Sequence, residues 1–278
     1  MALVLSLCVA YVAYCLGTNP AGPLTTPDSF HYLNATPIVP LGYPAFLKLT
    51  GANGAIIIQP ILFGAALAFL GREIRRYTQS TLLAAATIAG IIALPQLRGF
   101  HASILSESLF LTLLIVFLAL AVRFTYHPTW HLMVLLAITV GLDTTVRRTA
   151  VAFIPVLVCM VLWQRHRLRG SQPVRAAALA QGKPALFLVA ALAPIGVILG
   201  AEQAVSPIVH GGHPSSLMGR HMFAKAALLD APPAPRGKDP VIDGLNQHLE
   251  TMYQPIRTVL AEAPRDIRGV LSMYYETC

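Results

Sequence analysis

The feature that most constrains this chain is a series of apolar runs, each near the ~20 helical residues needed to cross a bilayer core. They occupy residues 2–17, 53–71, 80–96, 103–122, 130–146, 149–163 and 185–201. A soluble domain carries about 25% charged residues, whereas this chain carries 12%, with 55% hydrophobic residues and a mean hydropathy of +0.64. Before residue 200 the only acids are Asp28, Glu73, Glu107 and Asp143. The expectation is an all-α, polytopic transmembrane helical bundle of about seven spans in a lipid bilayer. Pro95 and Pro155 fall inside the third and sixth runs, where shifted boundaries or a re-entrant span are expected.

The net charge is +8 and the pI about 9.6. The basic residues stand in short clusters between apolar runs, the pattern of topology signals, and nucleic acid is excluded as a partner. One set of alternate loops holds Arg72, Arg75, Arg76, Arg123, Arg165, Arg167, Arg169, Arg175 and Lys183, and the other holds Lys48, Arg98, Arg147 and Arg148. The richer side is expected to be cytoplasmic, which puts loop 18–52 and everything after 201 outside the cytoplasm. The first run lacks a basic start and a clean small-x-small cleavage site, so it reads as an uncleaved helix whose N-terminus begins slightly late. Cys8, Cys15 and Cys159 lie within apolar runs and Cys278 is last, so no disulfide framework is visible.

Two regions are expected: a membrane core over 1–202, including external loop 18–52, and an extracytoplasmic tail over 203–278. The Pro-rich stretch 230–240 is loop chemistry, and Leu245, Leu249, Met252, Ile256, Val259 and Leu260 recur at helical spacing as an amphipathic helix.

Asp28, Glu107 and Asp143 all fall on the external side, and ionisable groups near membrane depth are usually paired or functional. Asp143 precedes Arg147 and Arg148 by four and five residues, so an intrahelical ion pair is the expectation for it. Glu107, flanked by Ser106 and Ser108, either complements a helix N-terminus or takes part in a site. Asp28 follows Pro27 and is either an N-cap or functional. His210, His213 and His221 read as solvated loop residues; no cofactor is expected and a divalent metal is not indicated.

The order of several short motifs resembles the GT-C superfamily of polytopic glycosyltransferases. The nearest members are bacterial relatives of dolichyl-phosphate-mannose protein mannosyltransferases and of the lipid A aminoarabinose transferase. The motifs are Pro27-Asp28-Ser29-Phe30-His31-Tyr32-Leu33 and Leu41-Gly42-Tyr43-Pro44 after the first helix, Gln59, Ser106-Glu107-Ser108-Leu109-Phe110, Arg147-Arg148, and the loop Ser216 to Arg220 with Ala224-Lys225-Ala226. They cover roughly residues 1–226. The resemblance implies transfer of a sugar from a polyprenyl-phosphate donor to an extracytoplasmic hydroxyl of a glycan, lipid or protein, at the periplasmic face of a bacterial inner membrane.

It also implies roles. Asp28 matches the acid of the first external loop that acts at the catalytic centre, and as general base it takes the acceptor's proton. Arg147 or Arg148 stabilises the departing phosphate, with Arg98 and Arg220 as further candidates. Glu107 orients the acceptor or the partners of Asp28, and Tyr32 and Tyr43 line the sugar pocket. Two departures stand out: Asp28 is followed by Ser29 where many members carry a second acid, and the chain ends inside an external loop, as a partial protein would. A transporter or flippase-like protein and a non-catalytic fragment are the alternatives to this reading.

Overall fold

The computed structural model describes residues 1–36, 39–169 and 184–209. Within them the chain is helical, and the only β pairing is an isolated bridge between Leu24 and Ser103. The helices are α1 (Ala2–Gly17), α2 (Pro27–Leu33), α3 (Gly42–Thr50), α4 (Ala52–Thr78), α5 (Thr81–Ile92), α6 (Gln96–Ala102), α7 (Ser106–Tyr126), α8 (Trp130–Val146), α9 (Phe153–Arg169) and α10 (Pro184–Val209). A 3-10 turn, Arg148–Ala152, joins α8 to α9.

Each apolar run of the sequence is helical, but length separates them. Among the described residues, three helices are long and apolar enough to cross a membrane: α4, α7 and the Phe187–Val209 part of α10. A fourth candidate is the pair α5 and α6, bent by 65° at the break between them. α1, α8 and the segment 148–163 are apolar but shorter. The expected count of about seven spans is therefore matched in full-length helices only by three, or four with the bent pair. The cause in the third run is Pro95, which lacks an N–H to continue α5 and instead stands at the N-cap of α6. Pro155, by contrast, sits in the first turn of α9, where the missing donor costs nothing. α10 runs through residue 202 to Val209; the rest of the expected tail, with Arg220, the three tail histidines and the amphipathic segment 245–260, lies outside the described residues.

Three buried clusters hold the bundle. One joins α1, α4 and α5 through Val4, Cys8, Phe63, Leu67, Leu70 and Ile88. Packing in lipid relies on close approach of backbones more than on expulsion of water. Gly71 shows this, since a Cβ there would lie 2.6 Å from a Val4 methyl. A second cluster joins α7, α8, α9 and α10 through Phe124, Met133, Leu136, Leu157, Ala191 and Ile195. Gly141 lets α10 approach α8 in the same way, with Ile198 at 2.7 Å from the missing Cβ. The third cluster, Tyr32, Tyr43, Leu47, Ala55, Ile104 and Val146, lies at one end and carries the loop helices α2 and α3. Cys8, Cys15 and Cys159 are free thiols.

Candidate functional site

Loop 18–52 is fastened before any charged group is considered. Leu24 N–H donates to Ala102 O at 2.8 Å and Ile104 N–H to Leu24 O at 3.0 Å, tying the loop to the connector that leads into α7. Thr26 is the N-cap of α2: its N–H donates to Ser29 Oγ at 2.8 Å, while Ser29 Oγ–H reaches Ile104 O at 3.0 Å. Asp28 is thus not the N-cap. It sits in the first helical turn and is exposed.

The aromatic pair beneath is rigid. Tyr32 and Tyr43 meet edge to face at 4.9 Å. Tyr32 Oη is 2.8 Å from Ser106 Oγ, and Tyr43 Oη accepts from Gln59 Nε2 at 2.8 Å. Burial holds both phenols above their ordinary range, so both keep their protons. Tyr43 is wholly buried, and its contacts stiffen the loop. Tyr32 is also nearly closed to solvent, although Asp28, Glu107 and Arg147 all act on it electrostatically.

The charged groups come from distant elements. Arg147 Nη1 is 2.5 Å from Glu107 Oε1, and its guanidinium lies 5.9 Å from the Phe110 ring centroid. Burial lowers the basicity of Arg147, but the hydrogen bond and charge of Glu107, reinforced by Tyr32 and Asp28, leave it raised on balance. Asp28 is therefore within electrostatic reach of Arg147. Glu107 stands in the first turn of α7, as a complement to the helix N-terminus would, and pairs with Arg147; its Oε2 is buried without a hydrogen-bond partner.

Arg148 faces elsewhere, forking onto Glu202 of α10 at 2.8 and 3.1 Å. The predicted Asp143 ion pair consequently does not form, because both arginines are taken by other carboxylates. Asp143 is buried, its Oδ1 has no partner, and only its backbone carbonyl meets Arg147, at 2.7 Å from the amide N. Arg98 is separate again: it donates to Thr18 O at 2.9 Å and lies over Tyr14, so it caps the end of α1. Arg220 lies outside the described residues.

Glu202 is the site residue that the sequence reading missed. The available signal was an acid at the end of the last apolar run, opposite an Arg-Arg pair that one carboxylate could not satisfy. Among the described residues, no group of three or more His, Cys, Asp and Glu is placed to hold a metal ion. Chemically, the end of the bundle combines an exposed carboxylate, a half-exposed guanidinium and a partly buried carboxylate that aims it, an arrangement suited to an anionic ligand beside a proton-accepting group. Compared with protein-family models, with curated proteins and with solved structures, the chain matches none.

Proposed function

We propose that this chain is an integral-membrane glycosyltransferase of the GT-C type, moving a sugar from a polyprenyl-phosphate donor to an extracytoplasmic hydroxyl of a glycan, lipid or protein. The observation that carries the reading is the convergence of Asp28, Glu107 and Arg147, from three separate elements, at the loop-bearing end of the bundle. In this reading α1, the bent α5–α6 pair, α8 and the 148–163 segment complete about seven crossings, and the loop end faces the periplasm of a bacterial inner membrane.

The chemistry follows from the placement. Asp28 accepts the acceptor hydroxyl's proton as its oxygen bonds to the sugar's anomeric carbon. The bond from that carbon to the phosphate oxygen breaks through an oxocarbenium-like state, and the lipid phosphate departs with the electron pair. Arg147, aimed by Glu107, meets the charge that grows on the phosphate.

The test is incorporation of labelled sugar from a panel of polyprenyl-phosphate donors into membranes carrying wild type or Asp28→Asn at matched expression. Incorporation that depends on Asp28 is the expected result; equal turnover by the variant removes Asp28 from the chemistry. One observation favours transport as a second reading: Asp143, on an apolar helix, is buried with an unpartnered oxygen, as in ion or proton pathways. Substrate uptake that needs Asp143 but not Asp28, without covalent incorporation, would select that reading.

A further inference from the structure

Two consecutive arginines could serve one phosphate together, but the backbone separates them. Arg147 terminates α8 in an extended conformation, φ −148° and ψ 121°, and the 3-10 turn begins at Arg148. Extended backbone sends neighbouring side chains to opposite sides. Arg147 accordingly reaches Glu107 of α7, whereas Arg148 reaches Glu202 of α10.

Glu202 is fully engaged. Its Oε2 accepts from Arg148 Nη1 at 2.8 Å, and its Oε1 accepts from Arg148 Nη2 at 3.1 Å and from the Leu41 amide at 3.1 Å. The carboxylate side chain is 4% exposed and its arginine partner 44% exposed, so the anion is the desolvated member of the pair. Leu41 precedes Gly42, which touches Thr145 of α8 so closely that a Cβ would come within 2.5 Å of Thr145 Oγ1. One buried carboxylate therefore ties together the last described helix, the turn that begins at Arg148, and the loop that carries Asp28.

Resting on the transferase reading above, we propose that Glu202 is the positioning residue of this site. It holds Arg148 in a two-bonded fork and anchors the loop at Leu41, whereas Arg147, held by a single oxygen of Glu107, is the guanidinium that meets the donor phosphate. The sequence treats the two arginines as equivalent candidates; Glu202 makes them different. Because a single carboxylate serves both Arg148 and the Leu41 amide, restoring only the ion pair does not restore the site.

Two readouts test this on the full chain in membranes. The first is KM and kcat for the polyprenyl-phosphate donor in Glu202→Ala, Glu202→Gln and the exchanged pair Glu202→Arg with Arg148→Glu. The second is labelling by a membrane-impermeant maleimide of Leu47→Cys, a buried loop position, with Cys159→Ser and Cys278→Ser as background. Glu202→Ala is expected to raise donor KM by about tenfold or more and to accelerate labelling similarly at equal amounts of inserted protein, as loss of a buried acceptor implies. Glu202→Gln keeps an acceptor and is expected to fall between; it also carries the test if the alanine variant does not insert. The exchanged pair is expected to be as impaired as alanine, since Leu41 loses its acceptor.

Unchanged labelling overturns the anchor. A loss of kcat that tracks only the amount of inserted protein, with KM unchanged, overturns the positioning role, as does full rescue by the exchanged pair. If wild type transfers no sugar from any donor, the transferase reading fails on its own; the labelling rate then supports or overturns the anchor by itself.

Discussion

The two ends of the bundle each bury a carboxylate among arginines, yet they are built differently. At the end away from loop 18–52, Glu73 is fully buried and meets Arg72 at 3.3 Å, Arg76 at 3.4 Å and the hydroxyl of Tyr126. Two of those partners lie on its own helix within three residues, and the third is on the neighbouring α7, where Tyr126 also stacks on Tyr77 at 6.1 Å. Both carboxylate oxygens of Glu73 are used. At the loop end the partners are residues 41, 107, 147, 148 and 202, Asp28 stays exposed, and one oxygen of Glu107 has no partner. A cluster made of sequence neighbours and saturated within itself stabilises helices. A cluster assembled from four elements, with capacity to spare, has the makings of a site.

Substitutions at each end should therefore separate in kind. On the transferase reading proposed above, the largest effect is expected for Asp28→Asn, which preserves shape and would remove the proton acceptor, a loss of about 10²–10⁴-fold in transfer. Because Asp28 is exposed, thermal stability in detergent should not move; a fall in stability equal to the fall in activity would place Asp28 with Glu73 as a structural group. Gly42→Ala comes next. Its Cβ would meet Thr145 side chain and backbone at 2.5–2.8 Å, so α3 must shift from α8. Overpacking of this kind costs about 1–3 kcal/mol, and thermal unfolding together with donor KM should report it at once.

Arg147→Lys keeps the charge and loses the planar fork. The expected result is about a tenfold rise in donor KM, equivalent to about 1.4 kcal/mol, with unfolding temperature little changed. The smallest effect belongs to the other end. Glu73→Gln retains an acceptor for Tyr126 and gives up attraction to Arg72 and Arg76; Glu73 itself is buried, so the loss falls on stability and not on transfer. Transfer activity should be unaltered there; a change in donor KM would mean that the two ends are coupled.

The grouping of three charged residues at one end was legible in the chain itself. Asp28, Glu107 and Arg147 fall on one side of the bundle because helices of near-bilayer length deliver their ends to the same side, and the structure brings them within electrostatic reach. The pairings were not legible. Spacing favoured Asp143 with Arg147 or Arg148, i+4 and i+5 relations, but Arg147 leaves the helix in an extended conformation and turns its side chain toward α7. Glu202 stands 54 residues from Arg148, a separation at which no helical periodicity operates. Tyr43 looked like an interfacial aromatic, and only the packing of α3 on α4 shows its hydroxyl spent on Gln59.

By itself the sequence determined that the chain is helical, where each apolar helix lies, and which ionisable residues gather at which end, because hydropathy and the cost of burying charge act locally along the chain. The tertiary structure decided which carboxylate meets which arginine and how the loop is anchored. Those choices depend on backbone direction at Arg147 and the close approach at Gly42, and neither exists until the helices have packed.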